Sequence, residues 1–167
     1  MSEEISKGAY SRKWGLIFGL VSAIVFVITA VTRLDLGFAG MAVSWAVVIG
    51  VFVLGIKEFR EDNEGFVSFG QGFSIAFMIA LIGGLVRSVV QYAYLMIDTE
   101  YLAWQQEVAT QRSPFGAPPE GQEMPSWVEF FQTAEFTAIA SVIAAIFAGL
   151  IFGAIVSAIM KKEEEEY

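Results

Sequence analysis

Arg87, Gln91, Tyr94 and Asp98 stand three or four positions apart, so on a helix they share one face. Arg87 is also the one charged residue in the uncharged run from Phe66 to Ile97. A guanidinium flanked by an amide and a phenol suits an anion or a lipid headgroup, which it would hold by charge-assisted hydrogen bonds. An ionisable residue within so apolar a stretch is a candidate for function by default. The alternative is structural: Arg87 reaches water at the end of the run, or pairs with a carboxylate of the following loop, with Glu129 or with Glu135.

Other chemistries are narrowed by absence. The 167 residues contain no Cys and no His. Thiol nucleophiles, disulfides, iron–sulfur clusters and haem attachment motifs are therefore excluded. So are histidine metal sites, catalytic triads and any side chain that titrates near neutrality unperturbed. A general base would have to be a perturbed carboxylate, Lys or Tyr, and no nucleophile–base spacing is visible. Asp98, Glu100, Glu107, Glu120 and Glu123 match no calcium-loop pattern and read as a solvated acidic loop. The sequence is thus read as non-catalytic, with no cofactor and no metal. A net charge of −8 lacks the basic footprint that a nucleic-acid partner requires.

The elements that position these residues are membrane spans. Hydrophobic residues make up 56% of the chain and charged residues only 17%, against about a quarter in soluble domains. Four runs meet the requirement of about 20 apolar residues. They cover residues 14–32, 36–56, about 66–97 and about 134–160, in one membrane domain of residues 1–167. The first is read as a retained anchor, because it exceeds a usual signal core and Ile28-Thr29-Ala30 lacks the small residue of a cleavage site. Arg33-Leu34-Asp35 is so short a connection that the first two spans must form an antiparallel hairpin.

Four spans place both termini and the second loop on one side, with Lys7, Arg12, Lys13, Lys57, Arg60, Lys161 and Lys162; the other side holds Arg33 and Arg112. This bias puts the termini in the cytoplasm. The outer loop, residues 98–133, holds all four prolines. Glu100 to Gln111 is expected to form a helix at the membrane surface, with Tyr101, Trp104 and Val108 on one side. Ser113 to Pro125 reads as an extended linker, and Ser126 with Glu129 as a capping box. Trp127, Phe130 and Phe131 suit an aromatic belt. Residues 161–167 form an acidic tail, disordered from Glu163 to Glu166, and the mixed-charge loop Lys57 to Gly65 reads as a solvated turn.

In lipid, helices associate through small residues that admit close approach. The third span carries Gly72, Ala76, Ala80, Gly84 and Ser88 at a spacing of four; the fourth carries Thr137, Ser141, Ala145, Gly149, Gly153 and Ser157. These stripes would pack on each other, on a second copy or on another membrane subunit. The second span has a shorter stripe, Ala42, Ala46 and Gly50. Asp and Glu are absent from within the spans, which counts against a proton- or cation-coupled carrier.

The segment KEFREDNEGFVSFGQGF, with YAYLMIDTEY at the far end of the third span, resembles a family of four-helix inner-membrane proteins of unknown function from Bacteroidota, DUF4199-like. The matching positions are Arg60, Asn63, Gly65, Phe69, Gly70, Phe73 and Asp98; Thr99 stands where that family commonly has Pro. The resemblance implies a four-helix transmembrane bundle in a bacterial inner membrane and no particular activity. The expectation is an all-α integral membrane protein with cytoplasmic termini, acting as a scaffold or accessory subunit in the bilayer. The alternative is a small oligomeric channel or transporter for an anion or lipid, using Arg87 and Gln91.

Overall fold

The computed structural model describes residues 6–112, 130–131 and 133–162. Among them are five helices: α1 (Lys7–Val31), α2 (Gly37–Asp62), α3 (Phe69–Ile97), α4 (Glu100–Arg112) and α5 (Ala134–Met160). The protein is an all-α bundle, and α1, α2, α3 and α5 are each long and apolar enough to cross a membrane. Ser113 to Glu129, with the proline linker, the Ser126 capping box and Trp127, and the tail from Glu163 lie outside the described residues.

Two spans extend beyond their apolar runs. Helix α1 begins at Lys7 and α2 continues through Lys57, Glu58, Arg60 and Glu61, because Lys, Glu and Arg are good helix formers. The turn comes at Asn63, Glu64 and Gly65, the last two with φ of +55° and +87°. The third span starts later than residue 66. Ser68 accepts a hydrogen bond from the Gln71 backbone N–H, and the Gln71 side chain accepts one from the Ser68 N–H. This capping box sets the helix start at Phe69. Phe66 and Val67 stay outside, and Val67 makes an antiparallel bridge with Lys162.

Helix α3 is the centre of the bundle. Its Ile79, Ile82, Gly83 and Val86 meet α1, where Gly15 and Gly19 admit Ile82 and Val86, and Gly83 admits Phe18. One residue on, about 100° around the helix, Ala76, Ala80 and Gly84 meet Gly153, Gly149 and Ala145 of α5. Gly72 faces Ser157 at the end bearing the termini, and Ser88 Oγ donates to the Ala138 carbonyl at 2.9 Å at the other. The two small-residue stripes are therefore paired within one chain, with Ser141 Oγ bonded to its own helix at the Ala138 carbonyl.

Helix α2 docks by one half only. Val48, Val51, Phe52, Ile56 and Phe59 are buried, whereas residues 38–46 include Phe38 at 76% exposure and Trp45 at 46%. The buried half is latched to α1 by its own charged end: Glu58 accepts from Lys13 Nζ at 2.6 Å and from the Trp14 indole, and Tyr10 donates to Asp62 at 2.6 Å. The mixed-charge loop is thus largely helix, and its carboxylates hold two helices together. Toward α4 a cleft lies between the first two helices.

Candidate functional site

The cleft has a volume of about 340 Å³ and is walled by Phe18, Val21 and Val25 of α1 and by Val43 and Val47 of α2. Arg87 and Gln91 of α3 form part of its lining, and Tyr101, Gln105 and Arg112 of α4 lie at its mouth with Asp35. Packing of Gly19 against Val86 puts the Arg87 backbone level with about Leu20. At about 1.5 Å per residue it lies roughly 10 Å above Lys13 and roughly 20 Å below Arg33. The surplus length of α3 does not lift Arg87 to the end of the bundle. Arg87 Nε is buried without a hydrogen-bond partner, and so is Gln91 Oε1, on a side chain only 5% exposed.

The four residues on that helix face do not form one cluster. Tyr94 and Asp98 are taken up by Arg33, which follows α1. Arg33 Nη2 donates to Asp98 at 2.9 Å, and the Tyr94 hydroxyl donates to the same carboxylate at 2.7 Å. Arg33 Nη1 also donates to the Ala30 carbonyl, and the guanidinium lies over the rings of Tyr101 and Trp104 at 5.2 and 5.9 Å. These contacts hold Arg33 in the left-handed backbone region, with φ of +49°. Arg33, then Tyr94, pulls the Asp98 carboxyl down to about 2, and Asp98 raises Arg33. Burial raises the Tyr101 hydroxyl, opposed by the charges of Arg33 and Arg87.

Tyr101 is the keystone of α4. It is buried and meets Phe26 and Tyr94 edge-on, in a cluster that includes Ala30 and Leu95. The face of Tyr101, Trp104 and Val108 thus rests on the bundle and on a second hollow of about 300 Å³, shared with Leu34 and Arg112. Arg112 pairs with Asp35 where the hollow meets the cleft. Arg33, Asp35, Gln105 and Arg112 are not marked as site residues by the sequence alone. The available signal was opposite charges in a three-residue connection beside a helix ending in Arg.

The contrast among arginines is the central feature of the site. At this end Arg33 and Arg112 each hold a carboxylate, whereas Arg87 makes no ion pair among the described residues. Glu135, one expected partner, makes none with it, and Glu129 lies outside the described residues. No three metal-ligating side chains cluster among the described residues. The arrangement offers an anion a half-buried guanidinium beside a buried amide.

The model of a family of proteins of unknown function, DUF4199, matches residues 13–162, which is most of the chain. The chain belongs to this family. The match takes in α1 from Lys13 onward, the other three long helices and the cleft of the DUF4199 chain. No curated protein and no solved structure matches it.

Proposed function

We propose that this DUF4199 protein is a non-catalytic membrane protein that binds an anionic ligand in the α1–α2 cleft through Arg87 and Gln91. One observation carries the reading: Arg87 Nε and Gln91 Oε1 are buried without partners on residues that line the cleft. An uncompensated Arg within a span costs about 2.5–3.5 kcal/mol on insertion scales, and a bound anion offsets that cost by charge-assisted hydrogen bonds. Toward the termini the bundle is filled by Phe52, Ile56 and Phe59, each at most 1% exposed, which favours a binding site over a pore.

The basic residues of the termini side support cytoplasmic termini in a bacterial inner membrane. The cleft then runs inward from the outer end of the bundle, with Arg87 at its inner end. The test is thermal unfolding in neutral detergent with phosphate or chloride at equal ionic strength. Phosphate raises the midpoint of the natural protein and leaves Arg87→Leu and Gln91→Leu unmoved; identical responses to both salts in the natural protein sink the reading.

A second reading, a scaffold or accessory subunit, draws on the one stripe not spent inside the chain. Ala42 and Ala46 are exposed, and a Cβ at Gly50 would meet open space. A lone monomer after mild extraction, with no bound subunit, counts against it.

A further inference from the structure

Resting on the anion-binding reading above, we propose that the occupant of the cleft is an acidic phospholipid with a hydroxyl-bearing headgroup, admitted sideways from the bilayer between α1 and α2. The walls and the back of the cleft differ in chemistry. Gln91 is buried and Arg87 half-buried with its Nε enclosed, whereas Val21, Val25 and Val43 are 39%, 43% and 56% exposed along the opening between the two helices. A free inorganic anion would satisfy Arg87 and leave those valines as they are. An amphiphile satisfies both: its phosphate lies on the guanidinium and an acyl chain lies along the valines.

Gln91 narrows the headgroup. Gln91 lines the cleft beside Arg87 with its Oε1 unpartnered, so a headgroup that donates a hydrogen bond to it while accepting one from Arg87 suits the pair. A phosphate ester carrying a hydroxyl supplies both; a choline headgroup has no donor. On the water side α4 lines the cleft, with Arg112 paired to Asp35. On the lateral side the lining valines of α1 and α2 are exposed where lipid would lie.

The experiment uses the full chain in neutral detergent, with three probes: inorganic phosphate, dioleoyl phosphatidylglycerol and dioleoyl phosphatidylcholine. Binding is read by thermal shift and by native mass spectrometry. Phosphatidylglycerol binds at least about tenfold more tightly than phosphate or phosphatidylcholine, a gap of at least about one decade in Kd. Val25→Trp and Val43→Trp, which fill exposed space, weaken the phosphatidylglycerol response and spare the phosphate response. Arg87→Leu removes both. Equal responses to phosphate and phosphatidylglycerol in the natural protein overturn the lipid assignment and leave the anion site standing. Silence from both probes overturns both readings. The comparison of phosphatidylglycerol with phosphatidylcholine needs no variant, so it decides even where a tryptophan variant fails to fold.

Discussion

Arg33 and Asp98 lie 65 positions apart in the chain, yet their side chains meet at 2.9 Å and fasten the end of α1 to the end of α3. The pair has a defined acid limit. Asp98 has a pKa of about 2 in the fold against an ordinary value of 3.8, so protonation favours the unfolded chain. Its contribution is complete above the ordinary value and is lost as pH falls toward about 2. Unfolding midpoints of the natural protein and of Asp98→Asn should differ by a constant amount from neutrality down to about pH 5 and converge below pH 4. A gap that does not narrow in acid refutes the pairing.

Arg87 should limit the stability of the ligand-free protein. Arg87→Leu removes an uncompensated charge from the apolar span and is expected to raise the unfolding midpoint in neutral detergent without added anion. A lowered midpoint would show that Arg87 is held by a structural partner instead.

The α3–α5 seam tolerates no added bulk. A Cβ at Gly84 would lie 2.5 Å from that of Ala145, and one at Gly149 would lie 2.7 Å from that of Ala80. Gly84→Leu and Gly149→Leu should each destabilise by about 1–3 kcal/mol or more, as overpacking does. Gly50→Leu, where nothing lies within 4 Å, should leave the midpoint of the monomer nearly unchanged. Equal effects at all three positions would contradict the seam.

At the other end Glu58 joins two donors of α1, Lys13 and the Trp14 indole. Removing the shared acceptor costs more than removing either donor. Glu58→Ala is expected to destabilise by about 1–3 kcal/mol, since a charged hydrogen-bond acceptor is lost, and Lys13→Ala by less than about 1 kcal/mol for an exposed pair. Chemical or thermal unfolding of the two variants and their double mutant measures both figures and their coupling.

Orientation can be tested directly, because the chain has no native cysteine. A thiol placed at Glu64 should react with an impermeant maleimide only after the membrane is opened; one at Glu107 should react in intact spheroplasts. The reverse pattern would invert the bundle.

Much of this architecture is legible in the sequence. The charge-free runs, the three-residue turn after α1, the helix over Glu100 to Arg112 and the solitary Arg87 are all local properties, and local composition determines them. The hydrophobic run, however, extends to Phe66, past the start of α3 that the Ser68–Gln71 capping box sets at Phe69. Periodicity also placed Arg87, Gln91, Tyr94 and Asp98 together on one face.

What the sequence could not decide is which neighbour that face meets. A helix in lipid is apolar all round, so hydrophobic patterning does not separate a lipid-facing side from a packed one. Val43 and Val48 read alike, yet one is 56% exposed and the other 8%. Only the tertiary structure gave Tyr94 and Asp98 to Arg33, spent both small-residue stripes within the chain, and set a cleft between α1 and α2. The partners of Arg33, and the absence of an ion pair at Arg87 among the described residues, depend on contacts between residues far apart in the chain, set by how glycine and alanine let the backbones approach.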